Sequence, residues 1–339
     1  ANTGALDDYA DETNYREKSV TNLFAHNTMQ NAAKKIDPYK EIRGSGVLGR
    51  MNDVLTRNGF KTSTTSTDSV SIALVGQPGV SSDPIIISKH GVDEFNPESS
   101  DQKMSQEDMF LNIRALNNST QVDSGFFGET WSSKLIKSLV KNSELYNILE
   151  ATQTNIMFPT SELGSQLEVV ARMMKAHKDR GVDRDMFYVS IGGFDTHSDV
   201  EENLVKRFTE VNSAIDAFTE EMKMNLLWND TTLMQHSDFA RTLIPNGGEG
   251  TDHAWGGNYF MMGGSVDGMR ILGKYPEHLT EGSPNRLGRG RMVPTTSWDM
   301  VWNGIAEWFG VTGEDLNEVC PNRDSFSVND LFTATELYK

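Results

Sequence analysis

The chain has little of several things, and each shortage excludes something. One cysteine, Cys320, rules out an internal disulfide and leaves the redox compartment open. No apolar run is long enough to span a bilayer. Basic residues are scarce: 31 Lys and Arg face 48 Asp and Glu, a net charge of −17 over 339 residues. Affinity for phosphate backbones comes mostly from Lys and Arg, so this balance argues against a nucleic-acid binder. It favours solubility and attraction of cations instead. No internal repeat and no linker-like change of composition is visible, so residues 1–339 read as a single domain. The opening Ala-Asn-Thr-Gly-Ala lacks a charged and apolar leader, as a mature or processed chain would. Sequons at Asn117, Asn118 and Asn229 are compatible with a secretory route, and a secreted or extracellular setting is favoured.

What is present alternates between strand and helix patterns. Helical character is read around Leu23–Ala33 and over 46–60, followed by a Ser/Thr-rich loop at Thr62–Ser69. Val70–Val75 reads as a strand stopped by Gly76, Pro78 and Gly79, and Pro84–Ile87 as a second. Residues 91–104 read as loop, and 104–156 as a helical insertion or cap. A helix over 161–178 leads into the strand Met186–Ile191. Leu204, Phe208, Val211, Ile215, Phe218 and Met222 form a core-facing helical stripe. Strands at Thr231–Gln235 and Asn258–Met262, a helix at Trp298–Phe309 and a closing helix in Val328–Leu337 complete the reading. The pattern predicts an α/β fold of three layers, a mostly parallel sheet flanked by helices.

The chemistry concentrates where strands end, which is where open parallel sheets put their sites. Gly192-Gly193-Phe194-Asp195-Thr196-His197 presents a carboxylate and an imidazole two residues apart, donors that divalent metals accept together. Asp195 could equally cap the following helix. In His236-Ser237-Asp238-Phe239-Ala240-Arg241, Asp238 is a candidate second ligand. Arg241 suits a phosphate or sulfate oxygen pair, or an internal pair with Asp238. The glycine-rich run to Asp252-His253 offers His253 as ligand or oxyanion contact, and Asp252 beside it to orient a histidine. His26 and His236 read as structural, His90, His177 and His278 as surface residues. Cys320 has no base nearby to make it a nucleophile.

Those three segments, in that order, resemble the family catalogued as domain of unknown function 1501, placed in the alkaline phosphatase/sulfatase superfamily. Arg289-Gly290-Arg291 and Pro294–Trp298 fit its C-terminal part, and the likeness runs from about residue 20 to 330. The resemblance implies an alkaline-phosphatase-like fold and a metal-dependent hydrolase of phosphate or sulfate esters. Its cofactor would be a divalent metal, zinc or calcium or magnesium. Asp195, His197 and His253 would hold one ion and Asp238 a second, with Asp252 among the metal-site residues. Arg241 would clamp the anion, with Arg286, Arg289 and Arg291 at the entrance. The family's Ser-His-Phe segment aligns near Thr21-Asn22-Leu23-Phe24, making Thr21 the candidate nucleophile.

The sequence also departs from that pattern. Phe239 stands where the superfamily has a histidine after the second-site Asp, and the family usually has Glu at 238 and Gly at 240. The family's opening strand, which ends in Gly-Gly-x-Asp, has no counterpart in residues 1–20. A processed precursor is one expectation, with its own N-terminal fragment or a second copy as partner beside a small anionic ester. The alternative function is a non-catalytic extracellular or assembly protein on a phosphatase-like scaffold.

Overall fold

The computed structural model describes residues 2–19, 22–37, 44–67, 69–92, 106–117 and 125–339. The fold is mixed α/β, its strands in small sheets with helices against them. A two-residue strand β1 (Thr3–Gly4) is followed by helices α1 (His26–Lys35) and α2 (Val47–Arg57), then strands β2 (Thr62–Ser66) and β3 (Ile85–Ile86). Helices α3 (Gln106–Asn117), α4 (Gly125–Ala151) and α5 (Glu162–Lys175) lead to β4 (Arg184–Tyr188) and α6 (Val200–Met224). Short strands follow: β5 (Leu233–Met234), β6 (Met261–Met262), β7 (Arg286–Leu287), β8 (Arg291–Met292) and β9 (Thr296–Ser297). Helices α7 (Trp298–Phe309), α8 (Asp315–Val319) and α9 (Ala334–Leu337) close the chain.

The expected single parallel sheet is divided. β3, β2 and β4 form a parallel sheet in that order, and β1 runs parallel to β9. β5–β6 and β7–β8 are antiparallel pairs. The central strand is the segment read as a loop. Thr62–Ser66 pairs with Arg184–Tyr188 on one side and Ile85–Ile86 on the other, and Ser63 to Ser66 are buried. The β-branched threonines suit a strand, and local partners satisfy part of the polarity. Ser66 donates to the Ser69 carbonyl at 2.7 Å, and Thr67 to Gln166 Oε1 at 2.9 Å.

Conversely, the expected strand Val70–Val75 is a 3₁₀ turn at Ile72–Leu74, with Val70 exposed. Its backbone is occupied by α2. The Gly46 N–H donates to the Val75 carbonyl at 2.9 Å, and a Cβ on Gly49 would stand 2.1 Å from Val75 backbone.

The stripe on α6 is only half core. Ala214, Ala217, Phe218 and Met222 pack against Leu163, Leu167 and Val170 of α5, whereas Phe208 is 57 % exposed. Phe208 instead meets Phe194, with ring centroids 5.8 Å apart. The second apolar cluster joins α2, α7 and the C-terminal segment. The predicted insertion contains α3 and α4; the reading at 91–104 falls largely outside the described residues. The predicted closing helix shrinks to α9, and among the described residues no helix is long and apolar enough to cross a membrane.

Ser161 caps α5, its side chain accepting the Gly164 N–H at 3.2 Å. Ser161→Ala should therefore lower stability by about 1 kcal/mol in a urea titration. Asp299 sits in the first turn of α7, 1 % exposed, and accepts the Asn322 N–H at 3.0 Å. Burial pushes its pKa from 3.8 up to about 7. Between those values the folded state keeps a proton that the unfolded state has released. Its contribution is full below the unfolded pKa and is lost as pH rises toward 7, by at most about 1.4 kcal/mol per pH unit. Asp299→Asn should flatten this part of the stability–pH curve measured by chemical denaturation.

Candidate metal centre

Three loops and one helix start build the site. β4 runs into Gly192-Gly193, which turns the chain, with φ +90° at Gly193, to present Asp195 and His197. β5 leads to Asp238. The segments around Arg241 and His253 then pair: Thr242 N–H donates to the Asp252 carbonyl at 2.9 Å, and Ala254 N–H to Ala240 at 2.8 Å. The Thr251 N–H donates to the Thr196 carbonyl at 2.9 Å, which joins this ribbon to the first loop. Gly250 is required there, since a Cβ would stand 2.2 Å from the His197 carbonyl carbon.

Asp195 is the centre. Its Oδ1 lies 3.0 Å from His253 Nε2 and 3.0 Å from His197 Nε2, and its Oδ2 lies 3.4 Å from His26 Nε2. The candidate ligand atoms of His26, Asp195 and His253 all lie within 4.8 Å of one another, so these three could hold a metal ion. His197 Nε2 is also 3.0 Å from His253 Nε2. Each imidazole has its other nitrogen against an acceptor. His26 Nδ1 meets Asp238 Oδ2 at 2.6 Å, His253 Nδ1 meets the Phe24 carbonyl at 2.7 Å, and His197 Nδ1 meets Asp252 Oδ1 at 3.3 Å.

An acceptor at Nδ1 fixes the proton there and leaves Nε2 as a lone pair in the neutral ring. Three lone pairs then point toward one carboxylate, which only protons or a cation can reconcile. The donor set therefore fits a divalent metal, with carboxylates and a carbonyl behind the histidines.

Arg241 supplies part of the balancing charge. Its Nη1 donates to Asp195 Oδ1 at 2.5 Å and its Nε to Thr251 Oγ1 at 3.0 Å. The Asp238–Arg241 pair considered from sequence is replaced by this one. Burial alone would raise the Asp195 pKa, but Arg241 and His253 outweigh it and hold the carboxyl at about 2. Burial disfavours the charged form of His26 too, yet Asp238 and Asp195 leave its pKa raised.

Asp238 thus stands behind His26, its Oδ1 accepting the Phe239 N–H at 3.1 Å. Phe239 is buried, with its ring centroid 4.7 Å from that of His26 and 4.5 Å from that of His253. Asp252 orients His197 and pairs with Arg289. Arg291 donates to the His253 carbonyl at 2.8 Å, while Arg286 Nη1 lies 3.9 Å from Glu281 Oε1. Thr21 lies outside the described residues.

His236 has its Nδ1 buried, and burial and Lys34 push its pKa down to about 4. Cys320 is buried, which raises its thiol pKa. The residue missed by the sequence reading is His26. Its partner Asp238 is 212 positions away, so no local pattern could reveal the pair.

The family described as "Protein of unknown function (DUF1501)" matches residues 94–295, and the chain belongs to it. The match includes the loops of Asp195, Asp238 and His253 but not His26. Neither a curated protein nor a solved structure matches the chain.

Zinc binding measured by isothermal titration calorimetry should be lost in His26→Ala, Asp195→Ala and His253→Ala. Asp238→Asn should retain binding weakened roughly 10- to 100-fold, as is usual when a histidine's outer partner is removed. Affinity should also fall as pH drops through the histidine range, because metal must displace protons from Nε2.

Proposed function

We propose that this DUF1501 protein is a metal-dependent hydrolase of phosphate or sulfate esters on an alkaline-phosphatase-like, three-layer scaffold. The observation that carries the reading is the convergence of three Nε2 atoms on Asp195, each with its Nδ1 held from behind. A divalent ion there, zinc being the best match to the donors, would supply Lewis-acid stabilisation of charge on the transferring group. His26, Asp195 and His253 would hold it, with His197 beside them.

The remaining roles belong to the chain itself. Arg241 lies against Asp195 with a side chain 21 % exposed, placed to bind the oxygens of a small anionic ester. Arg289 and Arg291 flank the ribbon and offset a net charge of −17 that would repel such a substrate. Thr21 is the proposed nucleophile. It lies three positions before Phe24, whose carbonyl holds His253, and five before His26. Its hydroxyl would attack phosphorus or sulfur, the ester alcohol would leave, and water would hydrolyse the resulting threonyl ester. An extracellular setting accompanies the proposal, with the exposed Asn229 open to glycosylation.

A second reading, a non-catalytic protein on the same scaffold, is favoured by Phe239. It fills the superfamily's second-metal histidine position with a buried ring, leaving one three-residue metal group among the described residues.

Zinc-loaded protein assayed on 4-nitrophenyl phosphate and 4-nitrophenyl sulfate tests the choice. Turnover of either ester should vanish in Asp195→Ala, and kcat/KM should drop roughly 10²–10³-fold in Arg241→Ala. Stoichiometric zinc without turnover of either ester would overturn the hydrolase in favour of the second reading.

A further inference from the structure

Asn-Gly occurs at three places in the chain: Asn58-Gly59, Asn246-Gly247 and Asn303-Gly304. The pair has a chemistry of its own. The glycine's backbone nitrogen can attack the asparagine side-chain amide, because no Cβ on the glycine shields that nitrogen. Which pair reacts depends on how the fold holds the amide carbon.

Two of the three are held against attack. Asn303 is buried inside α7, and a Cβ on Gly304 would stand 2.7 Å from Leu337 and 3.0 Å from the Phe332 carbonyl. Asn58 closes α2 with near-helical backbone, φ −80° and ψ 5°. Its side chain is engaged through Nδ2, which donates to Asp315 Oδ2 at 3.1 Å.

Asn246 is held in the opposite way. Its Oδ1 accepts the Gly248 N–H at 2.9 Å and the Gly250 N–H at 3.1 Å. The first of these is an Asx turn, which folds the side chain back over the intervening Gly247 peptide. Two N–H donors on one amide oxygen polarise Cγ and receive the negative charge that develops when a nucleophile adds, as an oxyanion hole does. Nδ2 donates to the His197 carbonyl at 2.9 Å and lies 3.4 Å from both the Thr251 carbonyl and Asp252 Oδ1. Gly247 is exposed, and a Cβ on it would meet nothing within 4 Å, so water and hydroxide reach the reacting nitrogen.

We propose that Asn246-Gly247 is a self-modification site, which converts the asparagine to aspartate or isoaspartate and unties the glycine loop from His197. The Gly247 nitrogen gives its proton to hydroxide and bonds to Asn246 Cγ. The Cγ–Nδ2 bond breaks, and Nδ2 takes a proton from water and leaves as ammonia. Water then opens the five-membered imide. Opening at Cγ gives aspartate, and opening at the Asn246 backbone carbonyl carbon gives isoaspartate. One water is consumed, one ammonia is released and nothing is oxidised. In the product the Gly248 and Gly250 N–H groups keep an acceptor. The His197 and Thr251 carbonyls and Asp252 lose their donor and face a carboxylate, and between the two carboxylates the interaction is repulsive. The site needs no metal, and neither does its test.

The full chain is incubated at mildly alkaline pH, digested with pepsin in acid, where the reaction stops, and analysed by mass spectrometry. The peptide carrying Asn246 should gain the mass difference between amide and acid at least about tenfold faster than those carrying Asn58 and Asn303. Gly247→Ala has room for its methyl and no positive φ to strain it, so it should keep the melting temperature and slow the conversion at least about tenfold. Hydrogen exchange over 197–198 and 246–252 should rise in the aged protein, and from the outset in Asn246→Asp. Conversion of Asn246 no faster than that of Asn58 would overturn the proposal, as would equal rates in Gly247→Ala, the mark of direct hydrolysis. Unchanged hydrogen exchange in the converted protein would overturn the untying of the loop.

Discussion

One carboxylate organises the functional end of this molecule. Asp195 meets the Nε2 atoms of His26, His197 and His253 and the guanidinium of Arg241, groups brought by the start of α1, its own loop and the paired segments of Arg241 and His253. Each histidine is fixed by the nitrogen that does not face Asp195, so the three rings cannot turn their Nδ1 protons inward without losing a bond. A constellation held this way could hold a cation with little rearrangement, and support from behind histidine ligands generally governs affinity.

The backbone around it is arranged to make that convergence possible. The ribbon of Arg241 and His253 lies against the first loop closely enough that Gly250 has no room for a side chain. Phe24, with φ +71°, turns its chain before α1, so that its carbonyl reaches His253 while His26 two residues on faces Asp195. Phe239 forms an apolar floor under two of the rings.

The strands that lead to the candidate site also border a cavity. Asp195 and Asp238 both lie just beyond strands that line it, β4 and β5. Membership in DUF1501 covers both strands and the loops after them. The scaffold thus gathers its candidate site residues beyond strand ends, where α/β sheets commonly place their sites.

Elements whose physics is local are legible directly in the residues. Trp298–Phe309 is helical with Ser297 before it and Gly310 after it, and the Gly-Gly turn after β4 delivers Asp195 and His197. Asp252 beside His253 reads as a group that could orient a histidine, and its Oδ1 lies 3.3 Å from His197 Nδ1. Tertiary structure decided the rest. Thr62–Ser66 became the central strand because pairing on both sides outweighed its polar composition. Val70–Val75 lost its strand because the glycines of α2 came against its backbone. The outer half of the α6 stripe was left exposed, with Phe208 against Phe194. His26, unremarkable among its neighbours, became a ligand candidate only when folding brought it to Asp195 and Asp238. A residue's pKa, proton position and partners are set by groups distant in sequence, and no spacing rule carries that information.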